Sequence, residues 1–183
     1  MRFSVIATAI ALALTVDATA QVSRRDLRPA SVRCTTSIKV ISDYLPSFTS
    51  SIEKVTSYTS VIAAHAKEDK VEKKLRAAIK ECNKVTSAKD EEVIAFINIV
   101  KELVDNIKDT TAALNSKRHM LESIPMAKPL IEDSLLTIYE DAVALEDHLL
   151  EVCPEKYRDE FTGYIKELND ALEASLDLYD IEH

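Results

Sequence analysis

The chain has 183 residues, a formal net charge of -8, a single glycine and no tryptophan. Scarce glycine removes the positive backbone dihedrals used by phosphate-cradling loops, nucleophile elbows and tight hairpins, which disfavours P-loop, dinucleotide-binding and G-x-S-x-G chemistry and a normal antiparallel sheet. The acidic balance argues against DNA, RNA and anionic headgroups as partners, and the missing tryptophan disfavours sugar recognition by stacking.

The first segment reads as a secretory leader. Arg2 is followed by an apolar run from Phe3 to Val16, then Ala18-Thr19-Ala20 in the small-x-small form that signal peptidase cuts. The run is too short for a membrane anchor, since a spanning helix needs about 20 apolar residues. Residues 1–20 are therefore expected to be a signal peptide, 21–33 an extension with a possible dibasic processing site at Arg24-Arg25, and 34–180 a single helical domain. The polar end from Asp177 to His183 lacks the apolar tail of a glycolipid-anchor signal.

Five apolar stripes follow, each with alternating three- and four-residue steps that mark a helix with one buried face. The first is Cys34, Ile38, Ile41, Leu45, Phe48, Ile52 and Val55, with Pro46 inside it to kink or split the helix. The second runs Val71, Leu75, Ala78, Cys82, Val85. The third, Val93, Phe96, Val100, Leu103, Ile107 and Leu114, is widened by Ile94, Ile97, Ile99 and Val104, which predicts a central helix touched on several sides. Lys117 to Lys128, with Pro125 and Pro129, is a connection, and Pro129 suits the opening of the next helix. The fourth stripe is Ile131, Leu135, Ile138, Ala142, Leu145 and Leu149. After Pro154 the fifth is Tyr157, Phe161, Tyr164, Leu168, Leu172, Ser175 and Tyr179. The predicted fold is all-α, an antiparallel bundle of about five helices in one domain.

Gly163 falls inside the fifth helix, where it is either a tolerated surface glycine or a sign of close helix approach or room for a ligand. In an up-and-down bundle Cys34, Cys82 and Cys153 all come to one end. Cys34 and Cys82, in the stripes of neighbouring helices, are expected to form a disulfide; the alternative is three reduced, buried thiols. None has the basic setting of a catalytic cysteine.

Histidine stands three residues before glutamate in His65/Glu68, His119/Glu122 and His148/Glu151, a spacing that puts both groups on one helix face. These pairs lie outside the stripes named above and lack the glutamate-then-histidine order of di-iron bundles, so they are read as solvated pairs, with no metal and no cofactor expected. Asp90-Glu91-Glu92 and the acids from Glu155 to Glu160 read as first-turn residues favoured by the helix dipole. Nothing provides the strained turn and oxyanion hole of a serine hydrolase, so no catalytic residue is expected. The segment from Thr35 to Ser60 is rich in serine and threonine. It suits a mobile solvated helix, an O-glycosylated one, or a movable flap over an apolar pocket.

The layout resembles the fungal hydrophobic surface-binding protein family, which includes cell-wall galactomannoproteins. The likeness runs from about Ile62 to Tyr179. It is clearest in Leu114-Asn115-Ser116-Lys117-Arg118 before the proline-bearing connection, in Ala144 to Leu150, in Cys153-Pro154, and in Ile165 to Tyr179. The three cysteines, fewer alanines and greater charge depart from the family's usual look. The resemblance implies a secreted, non-enzymatic protein that binds hydrophobic surfaces or fatty acyl chains between its helices, with a secreted esterase as a further partner. An acyl chain is then expected against the third helix, walled by Ile94, Ile97, Val100, Val104 and Ile107 with Phe48, Ile138 and Leu168 opposite; ordinary core packing is the alternative for each. The rival readings are a structural cell-wall mannoprotein or host-facing antigen without a specific ligand, and a metal-dependent secreted enzyme.

Overall fold

The computed structural model describes residues 29–182, so the expected leader and the dibasic pair lie outside the described residues. Seven helices follow: α1 (Ala30–Ser42), α2 (Leu45–Glu53), α3 (Tyr58–Cys82), α4 (Asp90–Ser116), α5 (Arg118–Ser123), α6 (Ala127–Val152) and α7 (Glu155–Leu178). The helical region begins inside the expected extension, and no strand occurs among the described residues.

The first apolar stripe covers two helices, because Pro46 occupies the second position of α2 and has no N–H to donate to the Ser42 carbonyl. Asn106 on α4 supplies the missing donor: its Nδ2 lies 3.2 Å from Ser42 O and 2.9 Å from Ser42 Oγ. Ser57 starts α3, with its backbone N–H donating to Ser60 Oγ at 2.9 Å and its own Oγ accepting from Ser60 N. At the start of α4 the Glu92 carboxylate accepts from Lys89 N at 2.9 Å, and Asp90, Glu91 and Glu92 all fall in the first turn. The proline-bearing connection contains the short helix α5, and α6 opens before Pro129, at Ala127. Pro129 still fits, since the first N–H groups of a helix lack intrahelical acceptors.

Packing between helices closes a ring. The α1–α2 wall lies against both α3 and α4, α3 against α6, α6 against α7, and α7 back against α4. The sequence expectation that the third stripe forms a central helix is thus corrected: α4 is one wall of the ring, with Ile94 on its outer surface at 49% exposure. The centre is occupied by no helix. At one end Cys34 and Cys82 form a disulfide with Cα atoms 4.5 Å apart, and the free Cys153 lies at the same end. The other end is closed by a cluster of Val55, Val61, Leu121, Ala127, Leu176 and Tyr179, with Tyr179 Oη donating to Leu114 O at 3.0 Å. Gly163 is on the surface, and a Cβ there would meet nothing within 4 Å, which supports the tolerated-glycine reading.

Candidate functional site

Five walls around an empty axis leave a cavity of about 180 Å³. Its liners come from α1 to α7, and on α6 they run from Leu130 to Leu149, nineteen residue steps or ~28 Å of helix rise. Its surface is almost wholly aliphatic and aromatic. α2 contributes Leu45, Phe48 and Ile52, so the serine- and threonine-rich segment includes part of the wall. Its hydroxyls turn back to the helix: Thr49 Oγ1 lies 3.0 Å from Leu45 O and Ser51 Oγ 2.6 Å from Phe48 O. Thr49 Oγ1 also lies 2.8 Å from Thr110 Oγ1, which joins α2 to α4.

Of the eight residues anticipated as a groove wall, Phe48, Val100, Ile107, Ile138 and Leu168 line this cavity. The other three do not. Ile94 faces solvent, Val104 is buried at 1% exposure without lining the space, and Ile97 lines a second cavity of about 50 Å³ near the cysteines. The broad apolar surface of α4 therefore faces several surroundings at once. Phe96, Leu149 and Phe161 line both cavities, and the Phe96 and Phe161 rings meet at 5.8 Å with a tilt of 59°. They form a partition between the long cavity and the small one.

Polar groups in the long cavity are few and were missed by the stripe reading. Glu68 of α3 is 4% exposed; its Oε2 accepts from Ser134 Oγ of α6 at 2.8 Å and lies 2.9 Å from His65 Nδ1. The other carboxyl oxygen, Oε1, is buried and accepts no hydrogen bond from the described residues. Burial raises the Glu68 carboxyl to about 8, helped by the Glu72 carboxyl within hydrogen-bonding reach and opposed by Ser134. Glu146 of α6 is 8% exposed and accepts from Asn169 Nδ2 of α7 at 2.9 Å, again with Oε1 unpartnered. Burial raises it to about 7, against the Asn169 hydrogen bond. Both glutamates, His65, Ser134, Thr110 and Thr111 line the cavity.

The three histidine–glutamate pairs separate in space. His119 is almost fully exposed, and His148 Nε2 lies 3.1 Å from Cys82 O. Only His65/Glu68 turns inward, which corrects the reading of all three as solvated pairs. Ligand atoms of His65, Glu68 and Asp69 come within 4.8 Å of one another. Glu68 Oε2 is, however, already engaged by Ser134, and a cation would have to displace a proton that burial retains. Burial also raises the Cys153 thiol, slightly offset by Arg158, which keeps it in the unreactive form.

No helix among the described residues is long and apolar enough to cross a membrane. The sequence profile of the family described as hydrophobic surface binding protein A matches residues 33–151. No curated protein sequence matches the chain. Among solved structures, AFMP4P in complex with palmitic acid superposes with a TM-score of 0.77 at 15% identity, covering 81% of this chain and 99% of that one. Ligand binding domain 1 of the Penicillium marneffei MP1 protein, complexed with arachidonic acids, gives 0.75 at 17% identity over 82% and 99%. Domain 2 of the same protein, with multiple arachidonic acids, gives 0.75 at 17% over 84% and 98%. At these identities the likeness establishes a shared fold.

Proposed function

The chain belongs to the hydrophobic surface binding protein A family, and from that premise we propose that it binds lipid by taking an acyl chain into the cavity between its helices. The observation that carries this reading is the shape of the cavity: apolar, continuous and drawn out along the bundle axis. A bilayer leaflet gives one acyl chain ~15 Å, so liners spread over ~28 Å of α6 offer length for one long chain or two short ones. Engineered apolar cavities of about 150 Å³ already take up benzene. Phe48, Val100, Ile107, Ile138 and Leu168 are the contacts this reading shares with the sequence expectation. The structural neighbours seen with palmitic and arachidonic acid point the same way.

The reading extends to place. A disulfide between Cys34 and Cys82 suits an oxidising compartment, and together with a leader expected from the sequence at residues 1–20 it supports export to the medium or the cell wall. Adsorption to hydrophobic solids, with a secreted esterase as beneficiary, has a separate footing. Of the exposed large apolar side chains, Tyr58, Ile62, Met120 and Met126 stand at the end of the bundle away from the cysteines.

Native mass spectrometry after exposure to a mixture of long-chain lipids tests the central claim. The expected result is a protein carrying one or two acyl chains, lost when Val100→Trp blocks the cavity. A native protein that carries none under the same conditions overturns it.

A further inference from the structure

We propose that the headgroup held inside this cavity is uncharged, so that the protein prefers a hydroxyl- or ester-bearing lipid, such as a long-chain alcohol or a monoacylglycerol, to an ionised fatty acid. The inference rests on the cavity being a lipid site and adds the chemical class of its ligand.

Among the described residues, the cavity wall contains no lysine or arginine. Its one basic side chain, His65, is already placed between acids, with Nδ1 2.9 Å from Glu68 Oε2 and Nε2 3.9 Å from Asp69 Oδ1. What the wall does contain is two carboxyl groups, each more than nine-tenths buried: Glu146 Oε1 has no hydrogen-bond partner among the described residues, and the Glu68 carboxyl has only the Glu72 carboxyl within reach of its second oxygen. Around Glu68 stand His65, Asp69 and Glu72 on its own helix and Ser134 on α6. Around Glu146 stand Asp147 on its own helix and Asn169 and Glu173 on α7. An ionised lipid carboxylate drawn into this space would leave water without gaining a cation, and would meet two groups that turn negative when they lose their protons. The site's own glutamates show the effect, since both are held protonated well above the ordinary carboxyl range.

A hydroxyl or ester meets the opposite conditions. A protonated carboxyl offers one O–H donor and further acceptor capacity, and an alcohol can both donate and accept. The unpartnered Oε1 of Glu146 is a buried polar group that costs stability while unpaired. A neutral headgroup reaching it would satisfy it without introducing charge.

The test compares ligands of one chain length. Binding of decan-1-ol, methyl decanoate and decanoate is measured by calorimetry near pH 6, where free decanoate is ionised while Glu146 and Glu68 keep their protons. The alcohol and the ester are expected to bind at least roughly tenfold more tightly than decanoate. Raising the pH above about 8 should widen that gap in the native protein. In Glu68→Gln/Glu146→Gln, which cannot ionise at either site, the gap should hold steady. Decanoate binding as tightly as the alcohol near pH 6 overturns the inference and leaves the lipid reading standing. If none of the three binds, both fall.

Discussion

Glu146 keeps its proton in the folded protein up to about 7, against an ordinary value of 4.5, because burial penalises the charged form. Between those values the unfolded chain binds fewer protons than the folded one, so stability falls as pH rises through the window and levels off above it. Glu68 acts in the same direction up to about 8. Glu146→Gln keeps an acceptor for Asn169 and cannot ionise, so thermal unfolding should show a higher midpoint than native above pH 7 and no comparable gain near pH 4.5. An equal shift at both pH values would contradict the assignment. Both glutamates were legible in phase and illegible in type. Val61, Ala64, Glu68, Val71, Leu75, Ala78 and Cys82 form one continuous run of inward positions, and reading only apolar residues starts that stripe at Val71. Glu146 follows Ala142 by four and sits beside Leu145 in the same way. A charged residue in stripe phase was the available signal, but the partners that make its burial tolerable, Ser134 and Asn169, come from other helices.

At the scale of the element, the apolar stripes located every long helix, α3 only over its second half, because the three- and four-residue steps follow from helix geometry whatever the helix packs against. They did not locate α5, which lies in the expected connection, since six residues with Leu121 as the only buried one make no stripe. The break between α1 and α2 was legible through Pro46; the Asn106 bond that secures it was not, because its partners are 64 residues apart. Neighbouring stripes also placed Cys34 beside Cys82, and their disulfide fixes the start of α1 to the end of α3 across a separation of 48 residues. A loop of that size restricts the unfolded chain, so Cys34→Ser/Cys82→Ser should lose about 2–4 kcal/mol in denaturant unfolding. The double substitution is the informative one, because a single one leaves a thiol at the same end of the bundle as Cys153. A loss well under 1 kcal/mol would mean that packing of α1 on α3 alone holds that end together.

For the whole molecule, the ring of walls exchanges stability for space. A void of about 180 Å³ costs ~4 kcal/mol at the ~24 cal/mol per Å³ found for cavities in other cores. That cost is large against the 5–15 kcal/mol by which most proteins are stable. The void was not legible in the stripes, because an inward isoleucine has the same phase whether it meets another side chain or empty space. Only the closure of the ring, with α4 joined to α7 and to the α1–α2 wall, decides between them. Ala142 lines the void from α6, and its side chain is the smallest kind there. Ala142→Phe should therefore fill space without displacing a neighbour of similar size. The empty variant is expected to unfold at a higher temperature than the empty native protein, by an amount equivalent to roughly 1–2 kcal/mol. Lipid at a hundred times its dissociation constant should stabilise the native protein by ~2.7 kcal/mol and leave the variant nearly unmoved. Thermal scans of both proteins with and without decan-1-ol measure all four states. A variant less stable than native when empty would show that the ring cannot absorb the extra ring volume. A variant that still responds fully to lipid would place the ligand elsewhere on the molecule.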